Sequence, residues 1–261
     1  MFRFGSLTRA AYRGWTAFRT TGGRALPQGP PIPGSHSHND SQQHVPLWTA
    51  LRHGFVSVEA DTWAVDGQLL VGHDRADLRP VRTLQTTYLE PLAMLIAETG
   101  AVHPGFGGPF RLLLDVKNDP DVTYSLLEGA LAEYAEIVTR YDGARVTIGL
   151  VSVVMTGDYP WETIGSQRHR LVACDGQLSD PKSYASATLM PTVSEPWHNQ
   201  FRWRGFGNIP TEEREKLHRI TAETAASGRT LRFWGTPLGP AHARRAIWNE
   251  LAAAGVGYIG A

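Results

Sequence analysis

Two acidic residues close an otherwise apolar stretch, and their spacing is the first sign of chemistry in this sequence. The stretch Phe55–Asp61 ends in Glu59-Ala60-Asp61. Side chains alternate along a β-strand, so Glu59 and Asp61 are expected to point to the same side, roughly 7 Å apart. Two carboxylates at that spacing repel each other unless a positive group lies between them, and a hard cation such as Mg2+ or Ca2+ is the usual partner. The alternative interpretation is a solvated strand end, or pairing of one acid with an arginine.

A third acid follows a second apolar run and is accompanied by a lysine. Asp115 and Lys117 come directly after Leu112–Leu114 and share one face of a predicted strand. The two side chains could form a simple ion pair. In a metal–phosphate site, Asp115 would instead complete the metal's ligands, and Lys117 would neutralise charge on the phosphate oxygens.

Histidines fall close to both ends of this acidic region. His36 and His38 follow the first candidate strand, and they either both face a pocket or one orients the other. His73 follows an Asp66-Gly67 hairpin signal, which would return the chain to the carboxylates. Histidine suits acid–base work near neutral pH, although a single histidine is more often structural.

The His-x-His pattern also permits a zinc or binuclear amidohydrolase. That class needs further histidines at the ends of later strands and an aspartate after the last strand. The remaining candidates do not end strong strands (His169, His198, His218 and His242), and Val256–Ala261 contains no acid. We therefore disfavour the amidohydrolase.

Apolar β-rich runs alternate with helical patterns along the chain, which predicts an α/β fold. Short, almost wholly apolar strands are typical of a parallel sheet covered on both faces. About eight β/α units indicate a single (β/α)8 TIM barrel, with a doubly wound sheet as the alternative. The predicted strands are Phe55–Asp61, Phe110–Lys117, Arg145–Ser152, Leu171–Asp175, Leu231–Thr236 and Val256–Gly260, with weaker ones near Ile32–His36 and between Thr188 and Phe206. The predicted helices are Val45–His53, Thr87–Thr99, Val122–Arg140, Thr211–Ser227 and Pro240–Ala254.

Composition narrows the class of protein further. The 261 residues carry 25 basic and 25 acidic side chains, and this balance argues against nucleic acid as a partner. Cys174 is the sole cysteine, which excludes an intrachain disulfide and a cysteine-based zinc site. No run approaches the ~20 apolar residues of a transmembrane helix. Oligomeric state is left open.

We predict two regions along the chain. Residues 1–33 form an N-terminal arm and linker, and residues 34–261 form the barrel domain. The arm contains five arginines and no acid before Asp40. We expect a cytoplasmic protein whose arm lies loose or on the barrel; an organellar leader is the alternative.

Three motifs together resemble a known superfamily. His36–Asp40, the Glu59-Ala60-Asp61 pair and Asp66–Asp74 are similar to glycerophosphodiester phosphodiesterases and phosphatidylinositol-phospholipase-C-like enzymes, and most of all to the branch named for altered inheritance of mitochondria protein 6. The similarity includes Arg82–Leu84 and Tyr88–Pro91, and resumes at Arg232–Pro237. Departures are Ser41, where the family usually has tyrosine, and the lack of an Asn-Thr-Asp segment after the last strand.

The resemblance implies a TIM barrel that uses one Mg2+ or Ca2+ ion and paired histidines. It implies metal ligands at Glu59, Asp61 and Asp115, and catalytic histidines at His36 and His73. We also predict a catalytic role for His38, catalytic and substrate contacts for Lys117, and substrate contacts for Asn39 and Trp234, whose alternative is a core tryptophan.

The predicted function is metal-dependent cleavage of a small-molecule or lipid phosphodiester, of the glycerophosphodiester or phospholipid type. Provisionally, His36 removes a proton from the attacking hydroxyl and His73 protonates the leaving alkoxide. The nucleophile is water or a hydroxyl of the substrate, which would give a cyclic phosphate. The alternative is a non-catalytic barrel that binds a phosphorylated ligand or lipid headgroup. An apolar rim for lipid is a further possibility (Trp161, Trp197, Phe201 and Trp203), although tryptophans equally serve as packing residues.

Overall fold

The structure, a computed structural model, describes residues 29–179 and 185–261. The predicted basic arm therefore lies outside the described residues up to position 28, and its boundary with the barrel stays a prediction. In chain order the strands are β1 (Ile32–Ser37), β2 (Phe55–Val65), β3 (Gln68–Val71), β4 (Phe110–Val116), β5 (Arg140–Asp142), β6 (Arg145–Thr147), β7 (Val151–Gly157), β8 (His169–Arg170), β9 (Val172–Gly176), β10 (Thr192–Pro196), β11 (Thr230–Trp234) and β12 (Tyr258–Gly260).

The helices lie between these strands. They are α1 (Trp48–Arg52), α2 (Glu90–Thr99), α3 (Pro120–Ala132), α4 (Trp161–Ser166), α5 (Trp197–Gln200), α6 (Thr211–Ala226) and α7 (Ala241–Ala253). Single helical turns occur at Asp40–Gln42, Arg75–Asp77 and Gln85–Leu89. Within the described residues, no helix has the length and apolar character needed to cross a bilayer.

Eight parallel strands close into a barrel, as the alternating pattern predicts. Their order is β1-β2-β4-β7-β9-β10-β11-β12, and β1 also pairs with β12. Strand β3 lies outside this ring and pairs antiparallel with the extension of β2. The predicted α/β barrel is confirmed, and the doubly wound sheet is wrong.

Alternation along the strands separates the barrel wall into two faces. Val58, Leu112 and Leu114 belong to the main buried cluster, which also contains the apolar faces of α2 and α3. The residues between them, such as Glu59 and Leu113, point into the barrel. The register pairs Asp61 with Asp115 on the neighbouring strand, so the two acids leave the wall side by side.

Two predicted elements differ from the structure between α3 and β7. The helix predicted to run to Arg140 ends at Ala132, and the strand predicted as Arg145–Ser152 is split between β6 and β7. A Gly143-Ala144 turn, with Gly143 at φ 59°, joins β5 to β6 as a hairpin. Strands β5, β6 and β8 form a small antiparallel sheet before the amino ends of β7 and β9.

Candidate active site

Three carboxylates meet inside the barrel near the carboxyl ends of β2 and β4. Glu59 and Asp61 are buried on β2, and Asp115 is partly buried on β4. Oxygens of all three lie within 4.8 Å of one another. The alternation of β2 and its register with β4 produce this convergence, as the sequence spacing predicts.

Two cations already contact these acids. Lys117 Nζ lies 2.9 Å from Asp61 Oδ1 and 2.6 Å from Asp115 Oδ2. The Arg232 guanidinium, from β11, donates a hydrogen bond to Glu59 Oε2. Counted by formal charge, three carboxylates against two cations leave one net negative charge in the cluster.

The pKa shifts follow from burial and from these contacts. Burial favours the protonated form of Glu59, but Arg232 and the neighbouring histidines outweigh it and hold the pKa of Glu59 well below its ordinary value. Burial raises the pKa of Asp115, against the opposing effect of Lys117. Burial also disfavours the charged form of Lys117, yet hydrogen bonds to Asp115 and Asp61 raise its pKa.

His36 lies behind Glu59 and does not line the cavity. Only 1% of the surface of His36 is exposed to solvent. Its Nδ1 atom lies 2.7 Å from Ser57 Oγ, and its Nε2 atom lies 3.2 Å from Glu59 Oε2. Burial, with the nearby Arg232 charge, lowers the pKa of His36 to about 3. The imidazole is therefore neutral over the physiological range, and its contacts orient the Glu59 carboxylate.

The depressed pKa of His36 predicts a specific pH dependence of stability. The unfolded chain binds a proton at this histidine below its ordinary pKa of 6.5, whereas the folded chain does not until about pH 3. The free energy of unfolding should therefore fall as the pH drops below about 6.5, by up to about 1.4 kcal/mol per pH unit. Urea denaturation at several pH values between about 6.5 and 5 gives the slope of the unfolding free energy against pH. In His36→Gln this slope should be smaller than in the wild type by the equivalent of about one proton. The exposed His44→Gln is the control; an unchanged slope in His36→Gln contradicts the prediction.

His38 faces the cavity and is 38% exposed. Its Nδ1 lies 3.0 Å from Glu59 Oε2 and 2.9 Å from Arg232 Nη2. If Nδ1 donates to Glu59, the Nε2 atom carries a lone pair and can accept a proton; if Nδ1 instead accepts from the Arg232 guanidinium, Nε2 carries the ring proton. His38 lines the cavity, whereas His36 does not.

The predicted hairpin brings His73 to the same cavity. Asp66 and Gly67 take positive φ values of 48° and 76° at the turn between β2 and β3. The backbone N–H of Gly72 donates to the Asp61 carbonyl (3.2 Å), which holds the end of the hairpin against β2. His73 and Asn39 line the cavity from this side.

The cavity has a volume of about 410 Å3 and includes most of the predicted site residues. Glu59, Asp115, Lys117 and Trp234 line it together with His38, Asn39 and His73. Trp234 is 38% exposed, so it lies at the cavity wall and not in the core.

Several other polar residues that line the cavity were not predicted as site residues from the sequence. Asp175 is the second-last residue of β9 and is buried; Thr156 Oγ1 donates to its Oδ2 (3.1 Å), and Ser194 forms a further side-chain hydrogen bond with this carboxyl group. Ser194 and Arg232 line the cavity from β10 and β11. All of these lie at or near the carboxyl ends of barrel strands, and that position was the available signal.

Two local features support Asp61 and Asp115. The Ser41 hydroxyl, at the position where the family usually has tyrosine, donates to Asp61 Oδ2, and Arg82 Nη2 donates to the Ser41 carbonyl (2.8 Å). Gly157 has φ 78°, and a Cβ atom there would overlap Asp115 Oδ1. A side chain at position 157 would therefore displace Asp115.

The acidic cluster has the chemistry of a metal site. Glu59, Asp61 and Asp115 offer only oxygen atoms, which hard cations such as Mg2+ and Ca2+ prefer. A second group, made of His36, His38 and Glu59, offers mixed nitrogen and oxygen ligands. The residues present fit a divalent cation at the acidic cluster, provided that the Lys117 ammonium moves from between Asp61 and Asp115.

These features define an α/β barrel with a cavity at the carboxyl ends of its strands, and acidic, lysine and arginine side chains line this cavity. A family model described as the AIM6-like phosphodiesterase domain matches residues 30–175, and the chain belongs to this family.

Curated relatives match over most of the chain. The altered inheritance of mitochondria protein 6 homolog of Arthroderma benhamiae is 30% identical over 268 residues, covering 88% of this chain and 81% of the relative. The altered inheritance of mitochondria protein 6 of Eremothecium gossypii is 31% identical (86% of this chain, 66% of the relative), and that of Lachancea thermotolerans 28% (84% and 61%). The chain thus spans just under two thirds of the length of these last two. The predicted resemblance is confirmed.

Among solved structures, a phosphatidylinositol-specific phospholipase C from Listeria monocytogenes superposes with a TM-score of 0.45. The sequences are 11% identical, and the match covers 90% of both chains.

Proposed function

We propose that the chain is a metal-dependent phosphodiesterase that cleaves a P–O bond of a glycerophosphodiester-like or phospholipid-like substrate in this cavity. One observation carries the proposal: the cluster keeps a net negative charge even with Lys117 and Arg232 in contact. A phosphodiester is itself an anion, so it would be repelled unless a further positive charge were present. A divalent cation reverses the sign of the cluster to one net positive charge.

Glu59, Asp61 and Asp115 are the residues that would hold this cation. When bound, a divalent cation polarises a phosphoryl oxygen and offsets the charge that develops on it. The Lys117 ammonium, once moved from between the two aspartates, and the Arg232 guanidinium would add positive charge in the same cavity, where the low dielectric strengthens their effect on non-bridging oxygens.

Two histidines would move the protons. We assign the proton acceptor to His38 in place of the provisional His36, because Nε2 of His38 can face the substrate whereas both ring nitrogens of His36 contact protein atoms. His73 would protonate the leaving alkoxide. The nucleophile is water or a hydroxyl of the substrate, and the second case gives a cyclic phosphate.

The cavity walls support a substrate that carries hydroxyl groups beside the phosphate. Asp175, Thr156 and Ser194 form a polar wall whose carboxyl and hydroxyl groups can form hydrogen bonds with substrate hydroxyls. Trp234 provides an apolar surface at the mouth. A glycerol-type group matches both surfaces.

Hydrolysis of bis-p-nitrophenyl phosphate tests the proposal. We expect turnover that stops in EDTA and returns with excess Mg2+ or Ca2+. Asp61→Asn should lose this metal-dependent turnover while it keeps the fold, as judged by circular dichroism. Equal rates with and without EDTA would contradict the proposal.

One observation favours a second candidate, a non-catalytic barrel that binds a phosphorylated ligand. Lys117 bridges two of the acids and Arg232 pairs with the third, as expected for a site whose charges are paired for stability. Calorimetric binding of glycerophosphodiesters without turnover in any divalent metal would support this candidate over the enzyme.

A further inference from the structure

The loop that follows β11 presents an apolar side chain to solvent beside the cavity mouth. Leu238 is 94% exposed, the largest exposed fraction among the large apolar side chains of residues 29–179 and 185–261. The loop begins directly after Trp234, which lines the cavity. Because the loop leaves the carboxyl end of a barrel strand, Leu238 lies on the same end of the barrel as the candidate active site.

A cationic groove adjoins this loop. Arg202 and Arg204 are exposed and line a groove of about 610 Å3 together with Gly235–Leu238. No acidic residue lines the groove, and neither guanidinium makes an ion pair with a described acid. The groove lining therefore combines two arginines with apolar side chains, and Glu213 lies next to it, where it accepts hydrogen bonds from the backbone N–H groups of Arg202 and Trp203.

The aromatic residues behind the groove form its support. Trp197, Phe201 and Trp203 are buried and pack with Phe233 of β11. The apolar rim considered from the sequence is thus wrong for these three residues, because they are core. The exposed apolar groups at this end are instead Leu238, Trp234 and Phe206.

We propose that the surface formed by Leu238, Arg202 and Arg204 docks the protein onto a bilayer that contains anionic phospholipids. A solvated leucine at a loop tip gains by entering the boundary between headgroups and acyl chains. Arginines beside it gain from the negative surface potential of such a membrane. Docking through this surface places the cavity mouth at the lipid headgroups. The proposal does not depend on the proposed reaction, since binding is measured without turnover.

Vesicle flotation with the full chain tests this proposal. The wild-type chain should float with vesicles of phosphatidylcholine and phosphatidylserine, and much less with phosphatidylcholine alone. Leu238→Glu should weaken binding at least tenfold. Arg202→Gln with Arg204→Gln should weaken it about 25-fold, since each arginine contributes roughly fivefold. High salt should reduce wild-type binding.

Matched control variants lie at the other end of the barrel. Ile148 is 66% exposed and Arg145 is exposed, both on or beside the small sheet. Ile148→Glu and Arg145→Gln should bind vesicles like the wild type, and all variants should keep wild-type circular dichroism and wild-type binding of bis-p-nitrophenyl phosphate. Equal flotation with both kinds of vesicle, unchanged binding by Leu238→Glu, or equal losses in the control variants would overturn the proposal. Displacement from vesicles by an acidic peptide at low salt only would assign the surface to a protein partner instead.

Discussion

Replacing His38 by alanine should lower kcat for bis-p-nitrophenyl phosphate by roughly 10²–10⁴-fold, the usual contribution of a general acid or base. His38 lines the cavity and can offer Nε2 to the attacking group, and alanine removes this function without opening the core. His73→Ala should cause a loss of the same order at the leaving-group step. Initial rates at saturating metal measure both effects, and titration calorimetry should show metal affinity within a few-fold of the wild type.

His36 provides the internal comparison for this prediction. It is buried against Ser57 and Glu59, so His36→Asn should act chiefly on stability and on metal affinity through the orientation of Glu59. At saturating metal, His36→Asn should keep most of its kcat, whereas His38→Ala should not. Near-normal turnover by His38→Ala, together with a large loss of kcat in His36→Asn at saturating metal, would return the proton-acceptor role to His36.

Replacing Arg232 by methionine should destabilise the chain by about 3–5 kcal/mol, the usual cost of leaving one member of a buried ion pair without its partner. Glu59 and Arg232 are both buried, and the Arg232 charge does more than any other group to offset the cost of burying the Glu59 carboxylate. Urea denaturation at neutral pH measures the loss. Excess Mg2+ should recover part of it, since the proposed cation would restore positive charge beside Glu59.

Two variants make the prediction for Arg232 specific. Glu59→Met combined with Arg232→Met should be more stable than Arg232→Met alone, because Glu59 is then not left buried without its partner. Arg214→Met breaks the exposed pair with Glu250 and should cost no more than about 1 kcal/mol. Similar losses in Arg232→Met and Arg214→Met would show that the buried pair contributes little.

The barrel and the acidic cluster could be predicted because both depend on local alternation. An apolar run with acids at i and i+2 fixes which side chains share a face, and parallel strands bring their carboxyl ends to one edge. The hairpin that returns His73 is likewise set by two adjacent turn residues, Asp66 and Gly67.

The role of Arg232 could not be derived in the same way, since it pairs with Glu59 across 173 positions of sequence. Such a contact depends on barrel closure, which places β11 opposite β2. The sequence also left open which of His36 and His38 is the proton acceptor, for a different reason. Alternation would put them on one face, but β1 ends at Ser37 and Asn39 has φ 49°, so His38 leaves the strand geometry.

The strand between Arg145 and Ser152 shows a third limit. An apolar pattern marks residues suited to a strand but does not tell where one strand ends and the next begins. The exposed Ile148 and Leu150 interrupt the run, and only the closed barrel reveals that β7 starts at Val151.

Anomalous diffraction from crystals soaked in Mn2+, which substitutes for Mg2+ at oxygen-rich sites, tests the proposed metal site most directly. We predict one anomalous peak roughly 2.0–2.6 Å from oxygens of Glu59, Asp61 and Asp115, with the Lys117 ammonium moved away from between the two aspartates. No peak at saturating Mn2+, with Lys117 still bridging Asp61 and Asp115, would contradict metal-dependent catalysis in this cavity.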